Sequence, residues 1–550
     1  MDLRDYQTEA YTNTMKAFEG NQAALVVLAT GLGKTVIAAH IAKDFVGLGR
    51  VMLLAHREEL IYQGKSTLHR VTGIEGEIEM ADNWASQSTL FGGSHIVAST
   101  IQTQIAGRDG GRMTRFDPND FSLLIVDEAH HGTSPSYRKV IDYYKQNEDL
   151  RILGLTATPD RADEQALGQI FETVPFEFDI SDGIANGWLV PVTQQAVYVD
   201  GLDFSNIRTT AGDLNGKDLA AVLEFEENLH GMTTPILDLC GDRKTLIFTV
   251  TVAQAERMAE ILNRHKPESA EYVCGTTPKE YRRQLFERYE RGDFQYLANV
   301  GVTTEGFDEP GIECIVMARP TKSRSLFAQM LGRGTRSLTG TLDGIDDAEE
   351  RKRAIAESGK PQMQVIDFVG NAGRHKLIHP ADILGGKYAD EIVELANKNM
   401  ERTGDLADVA SELVQAEREF ERRLRDKREA EKRQQLKLKS RYTTSTINPF
   451  DVLDIVPCRE PNWHKGRMPT EAQLGCLEKF GVPLPEDLTF LHASQLIERL
   501  ITRSRERLCT FRQAKLLDRY GYDGSSLTFQ KAGELITAIK ANGWKRPKDD

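Results

Sequence analysis

Residues 28–35 read LATGLGKT and residues 123–130 read LLIVDEAH. In the first string Thr30, Gly31, Leu32, Gly33, Lys34 and Thr35 follow an apolar run at 25–28 and precede a helix-forming run at 36–42. A strand passing through a glycine loop into a helix is the arrangement that cradles phosphate. Glycines let backbone N–H groups approach phosphate oxygens, Lys34 neutralises β/γ charge, and the Thr35 hydroxyl is placed to ligate Mg2+. The strict GxxxxGK[ST] pattern is not met, because Leu28 stands where the first glycine belongs. The second string is an apolar strand ending in two carboxylates. Asp127 is expected to hold Mg2+ through water, and Glu128 to orient and deprotonate an attacking water. A strand that merely ends in solvated acids accounts for the carboxylates but not for the lysine loop upstream.

Outward from these strings, apolar runs at 51–55, 96–98, 123–126 and 152–155 alternate with polar helical stretches, which predicts a parallel sheet. A second series at 245–248, 296–300, 315–318 and 365–368 repeats the design. The expected fold is α/β, with two tandem parallel-sheet lobes at 1–190 and 191–388 meeting near residues 187–191. The 550 residues leave ample core for each.

With those residues in view, the chain resembles helicase superfamily 2, in its DEAH-box branch, over roughly residues 1–385. LRDYQTEA at 3–10 resembles the Q motif, AHREEL at 55–60 motif Ia, and ASTIQT at 98–103 motif Ib. LTATP at 155–159 is similar to motif III, IFTVTVAQAE at 247–256 to motif IV, TTEGFDEP at 303–310 to motif V, and QMLGRGTR at 329–336 to motif VI. Within the superfamily the chain looks most like RadD-like, XPB-like and type III restriction helicase-subunit-like DNA helicases.

The resemblance implies two RecA-like lobes that use ATP and Mg2+. It places Gln7 at adenine, Gly306 and Asp308 near the nucleotide, and Gln329, Arg333 and Arg336 in catalysis across the cleft. A guanidinium reaching the γ-phosphate stabilises charge in the transition state. For nucleic acid it points to Arg57, Ser99, Thr100, Gln102, Thr249 and Thr304. Under the plainer reading these are helix-cap or turn residues.

The net charge of −13 excludes a chain uniformly coated for nucleic acid. A local groove is still compatible, since hydroxyls and backbone N–H groups hold phosphate as well. Cysteines at 240, 274, 314, 458, 476 and 509 show no CxxC pair. Reduced thiols are expected, with neither a disulfide framework nor a zinc site. No run of 18 apolar residues occurs, so no membrane span is expected, and a cytoplasmic location follows, nucleoid-associated in a bacterium.

Beyond the lobes, residues 337–362 read as a surface insertion with the helical core AEERKRAIAE. Residues 389–442 form a charged helical extension, in which 418–441 carry eleven Lys/Arg against five Asp/Glu. Residues 443–467, with Pro449, Pro457 and Pro461, read as a linker. A two-unit helical repeat follows at 468–550: TEAQLGCLEKFGV at 470–482 matches TFRQAKLLDRYGY at 510–522, and LTFLHASQLIERL at 488–500 matches LTFQKAGELITAI at 527–539. This module is a candidate dock for a protein partner.

The function expected is an ATP-dependent nucleic-acid helicase or translocase, with DNA favoured over RNA, in repair, recombination or replication. Alternatives are an RNA helicase, the motor subunit of a restriction or defence complex, and a non-hydrolysing switch. Glu128, Arg333 and Arg336 together count against the last.

Overall fold

The computed structural model describes residues 3–89, 92–107, 110–157, 167–210, 212–302, 307–373, 375–437, 449–453, 455, 457, 466–485, 487–524 and 526–544. The first sheet has seven strands: β1 (Ala23–Leu28), β2 (Arg50–Ala55), β3 (Glu77–Glu79), β4 (Ile96–Thr100), β5 (Phe121–Val126), β6 (Arg151–Thr156) and β7 (Thr173–Phe178). They lie in the order β3-β4-β2-β5-β6-β1-β7 and pair parallel throughout. Every residue of β1, β2 and β4 is buried, as strands covered on both faces by helices must be, and that burial explains their unbroken apolar runs. The edge strands β3 and β7 are only partly buried and carry Glu77, Glu79 and Glu177, so no apolar run announces them.

Helices α1 (Asp5–Ala17), α2 (Lys34–Phe45), α3 (Glu58–Thr72), α4 (Ile101–Ile105) and α5 (Pro135–Tyr144) connect and cover these strands. Because all strands run the same way, the segments after β1, β2, β4 and β5 emerge at one edge. That edge is where α/β sheets bind ligands.

The second sheet contains β8 (Val192–Asp203), β11 (Thr245–Phe248), β12 (Ala270–Val273), β13 (Tyr296–Asn299), β14 (Cys314–Met317), β15 (Met363–Asn371) and β16 (Ala407–Asp408). Its order is β12-β13-β11-β14-β15-β8-β16, parallel except for β16, which runs antiparallel to β8. A small ribbon of β9 (Thr209–Thr210) and β10 (Asp213–Leu214) stands apart. Both expected parallel lobes are present.

Two expectations change. The charged extension is not one helix: it breaks after Thr403 at Gly404, whose φ of 65° is left-handed, and Ala407–Asp408 then joins the second sheet before a helix resumes at Val409–Lys437. The insertion at 337–362 does contain the helix Ala348–Glu357, but Arg351 and Lys360 are buried, so its inner face belongs to the core. Cys240 and Cys314, far apart in sequence, bring their sulfurs to 3.6 Å as free thiols.

The chain forms two compact units, one of residues 1–384 with 397–411 and the other of residues 385–396 with 412–550. Within the second, helices Glu471–Phe480, Phe490–Arg505, Phe511–Arg519 and Phe529–Ala541 show the repeat directly. Thr470 and Thr510 each cap a helix reciprocally with Gln473 and Gln513, and Thr489 and Thr528 cap the second helix of each unit. Leu477, Leu496, Leu500, Phe511, Leu517 and Ile539 form their common core, with Phe480 and Ile497 packed against it. Most of the proposed linker, including Cys458 and Pro461, lies outside the described residues.

Candidate nucleotide site and nucleic-acid track

Leaving β1, the chain turns through Gly31 (φ 87°) and Gly33 (φ 82°) into α2. A left-handed backbone favours glycine, and space demands it too: a Cβ on Gly31 would fall 2.7 Å from Arg336 Cγ, and one on Gly33 would fall 2.6 Å from Gln7 Nε2. The loop is steadied from α1, where the Tyr6 hydroxyl and Gln7 Nε2 both donate to the Leu32 carbonyl at 2.8 and 2.9 Å. Tyr6 stacks on Phe178 at 5.0 Å. Lys34 begins α2, and its Nζ donates to the Leu28 carbonyl at 3.2 Å, beneath the loop. Thr35 follows on the same first turn, whose free N–H groups favour an anion.

Asp127 and Glu128 leave β5 at the same edge, one strand removed from β1 across β6. Both are buried, and the Glu128 N–H donates to Asp127 Oδ1 at 3.0 Å. Glu128 has φ 49° and ψ 52°, a left-handed conformation uncommon outside glycine, held at the turn that follows β5. His130 Nδ1 lies 3.3 Å from both Glu128 Oε2 and Thr156 Oγ1. Burial works to raise the Glu128 carboxyl, but the charges of Lys34, His130 and Arg333 outweigh it and hold the group well below the ordinary range.

The second lobe supplies the opposite wall. Helix Arg324–Gly332 carries the buried Gln329 and ends at Arg333, whose Nη1 donates to the Phe307 carbonyl at 2.5 Å. Arg336 pairs with Asp308, and its aliphatic stem lies against Gly31. Burial lowers the Arg336 guanidinium. The lobes approach closely again at Gly332, where a Cβ would meet Thr30 Cβ at 2.6 Å. Thr304 and Gly306 lie outside the described residues, as does the end of the LTATP string.

The nucleic-acid candidates are more internal than their positions promise. Ser99 is buried, donates to the Glu79 carbonyl at 2.8 Å and accepts from Gln104. Thr100 caps α4. Thr249 donates to the Asn299 carbonyl at 2.9 Å. Arg57 stands just before α3 without capping it, and its Nη1 donates to the Gly301 carbonyl of the second lobe at 3.0 Å. Gln102 is exposed. Ion pairs Lys279–Glu58 and Arg282–Glu59 join the lobes beside Arg57.

Three neighbours of the site carry no role from the sequence: two stand inside the strings at 3–10 and 123–130, and one, Lys360, lies outside every motif. Tyr6 and His130 adjoin Gln7 and Glu128. Lys360, at the end of the insertion, donates from Nζ to the carbonyls of Pro310 and Arg336 at 2.7 and 2.6 Å, and burial lowers it to about 7. A lysine in a polar stretch carries no sign in sequence that it will be buried.

The model of the Type III restriction enzyme res subunit matches residues 1–161, and that of the helicase conserved C-terminal domain matches residues 233–337. The chain is 28% identical over 439 residues to a Saccharomyces cerevisiae protein named as an ATP-dependent helicase, IRC3, covering 77% of this chain and 58% of that protein. It is 27% identical over 366 residues to the type I restriction enzyme EcoAI endonuclease subunit of Escherichia coli, covering 60% and 44%. The chain thus spans little more than half the length of the yeast protein and less than half of the restriction subunit. In fold it is similar to the ATP-dependent Type ISP restriction-modification enzyme LlaBIII bound to DNA, with a TM-score of 0.52 and 14% identity, covering 99% of this chain and 40% of that one. Each of the two parallel-sheet lobes overlaps a matching domain model, and in that pairing the chain is similar to the helicases of superfamily 2.

Proposed function

We propose that this chain is an ATP hydrolase that uses turnover to translocate on, or unwind, DNA. One observation carries the reading: Arg336 of the second lobe lies against Gly31 of the phosphate loop in the first, so the hydrolytic site is shared between lobes. The residues fit a Mg2+·nucleotide. Two left-handed glycines leave room for phosphate, a helix of 12 residues presents its N-terminus, and Thr35 and Asp127 offer hard oxygens. A bound Mg2+ supplies positive charge to the β/γ oxygens.

Lys34 exchanges the Leu28 carbonyl for phosphate oxygen and neutralises charge. Glu128, ionised at neutral pH, orients the attacking water and accepts its proton as Lys34 charge is taken up by phosphate. Arg333 and Arg336 stabilise the charge that develops in transfer. Gln7, fixed by Leu32 and by the Arg4 N–H to its Oε1, is the adenine contact. Lys360 is a positioning residue, holding the Arg336 backbone.

Nucleic acid lying along the ends of β2 and β4 and bridging to the second lobe favours closure, and closure completes the site. The test is ATPase turnover with duplex DNA, single-stranded DNA, RNA and none. Strong stimulation by DNA is expected; equal rates in all four overturn the motor reading, and stimulation by RNA alone reassigns the substrate. A second reading, a motor subunit within a restriction or defence complex, is favoured by the EcoAI and LlaBIII likenesses. Co-purification with a nuclease or methyltransferase tests it, and the repeat module is the proposed dock.

Among the described residues no helix is long and apolar enough to cross a membrane. A Schizosaccharomyces pombe relative, 27% identical over 409 residues, is named as mitochondrial, so the cytoplasmic location expected above gives way to any compartment that holds DNA.

A further inference from the structure

We infer that Trp84 is a stacking shelf for an unpaired nucleobase, one strand beyond the track formed at β2 and β4; this rests on the nucleic-acid reading above. β3 is the edge strand beside β4 and pairs with it in parallel, Glu79 opposite Ser99. The segment that follows Glu79 therefore leaves the sheet at the same edge as residues 99–102 and extends their row outward.

Trp84 is 61% exposed, yet its surroundings are tightly built. Two guanidiniums lie against the indole, Arg112 with Cζ 3.6 Å and Arg115 with Cζ 4.5 Å from the ring centroid. Both are tied to the fully buried Glu79, Arg112 through Nε at 2.6 Å and Arg115 through Nη1 at 2.8 Å to each carboxylate oxygen. Arg112 also donates to the carbonyls of Ala81 and Asn83, which fixes the tight turn Met80–Asn83 on which Trp84 rides. On its other flank the loop is held by the Ala85 N–H to Glu79, the Ser86 N–H to Glu77, and the buried Arg50, which donates to the carbonyls of Ser86 and Gln87.

A buried carboxylate costs stability unless it is fully paired. Here Glu79, with two arginines, supports a loop whose outermost group is a bare indole. A ring covered by guanidiniums on both faces could not remain 61% exposed, so one face is open to solvent. Cations behind an aromatic ring fix its orientation in advance, and a rigid open π-face suits a base of any identity. The Glu79 carbonyl accepts from Ser99, so the shelf and the residues 99–102 move as one piece.

Trp84→Ala and Trp84→Phe in the full chain, with oligo(dT) and a blunt DNA duplex as probes, test this by fluorescence anisotropy over a salt series. Trp84→Ala should bind oligo(dT) on the order of tenfold more weakly. Trp84→Phe should retain most affinity, duplex binding should change far less, and the slope of affinity against salt should not change, because no phosphate contact is lost. An unchanged melting temperature shows that the loop holds. Wild-type affinity in Trp84→Ala, equal losses in both variants, or an equal loss with duplex overturns the shelf and leaves the motor reading standing. If the wild-type chain binds neither probe, the nucleic-acid reading itself fails.

Discussion

Lys34 is the sole cation in residues 28–35, so Lys34→Ala should abolish ATP hydrolysis, read as phosphate release. Glu128→Gln should behave differently, binding ATP through Lys34, Thr35 and Asp127 while turnover stops; normal turnover would remove Glu128 as base. Because neighbouring cations hold Glu128 well below the usual carboxylate range, its protonation should not produce an acid limb in turnover between pH 5 and 8. Arg336→Ala should lower turnover about 1,000-fold with little change in ATP affinity, since the finger acts on charge that appears after binding. Collapse of affinity with normal turnover of the bound fraction would make it a ground-state ligand. Gly332→Ala probes closure itself. It suits a helix, so stability should hold, but its methyl would meet Thr30, and turnover should drop about 100-fold if the lobes must approach this closely.

Among the elements, β15 shows how a strand end is fastened. Asp367 on β15 receives Gln194 Nε2 from β8 at 3.1 Å and His379 Nδ1 at 2.7 Å, while the His379 N–H donates to Asp382 and Nε2 faces Glu401 at 3.8 Å. Burial lowers the His379 imidazolium, but the charge of Asp367, aided by Asp382 and Glu401, raises it to about 9. A base stronger in the folded than in the unfolded chain stabilises fully below its unfolded value, near 6.5, and that stability is lost as pH rises through 9. The contribution is about 3 kcal/mol on this shift. His379→Gln should therefore lower Tm at pH 6 and cost progressively less toward pH 10, and a constant difference between the two proteins would rule out the linkage.

For the whole molecule, the last crossing between the two compact units falls after Ser411, with residues 385–396 also counted in the later unit. The helix Val409–Lys437 belongs mostly with the repeat module, where Arg425 faces Asp523 at 3.9 Å. Truncation after Ser411 should leave a folded chain that hydrolyses ATP, because Lys34, Glu128 and Arg336 all lie upstream and β16 is kept. Truncation after Tyr442 should fold less well, since it keeps the helix and removes its partners. Circular dichroism and ATPase on both would decide, and equal behaviour would show that the helix stands alone.

Sequence alone determined the two lobes, the glycine turn between β1 and α2, the acid pair after β5 and the helical repeat, because each is a local pattern. Apolar runs mark strands buried on both faces, glycines mark a loop that needs left-handed backbone, and a period of about 40 residues marks repeated helix pairs. Tertiary structure alone decided what fills each hydroxyl and guanidinium. Ser99 and Thr249 sit at positions suited to phosphate but are bonded to carbonyls, and Arg57 reaches Gly301 across the lobes. Lys360 and Arg351, written in a polar insertion, are buried against the site and the inter-lobe segment, where Arg351 lies 3.8 Å from the Trp188 ring centroid and donates to the Asn186 carbonyl. Trp84 reads as a stray aromatic until Glu79, Arg112 and Arg115 gather beneath it. A side chain's partners come from strands and loops distant in sequence, so spacing places the backbone while packing assigns the chemistry.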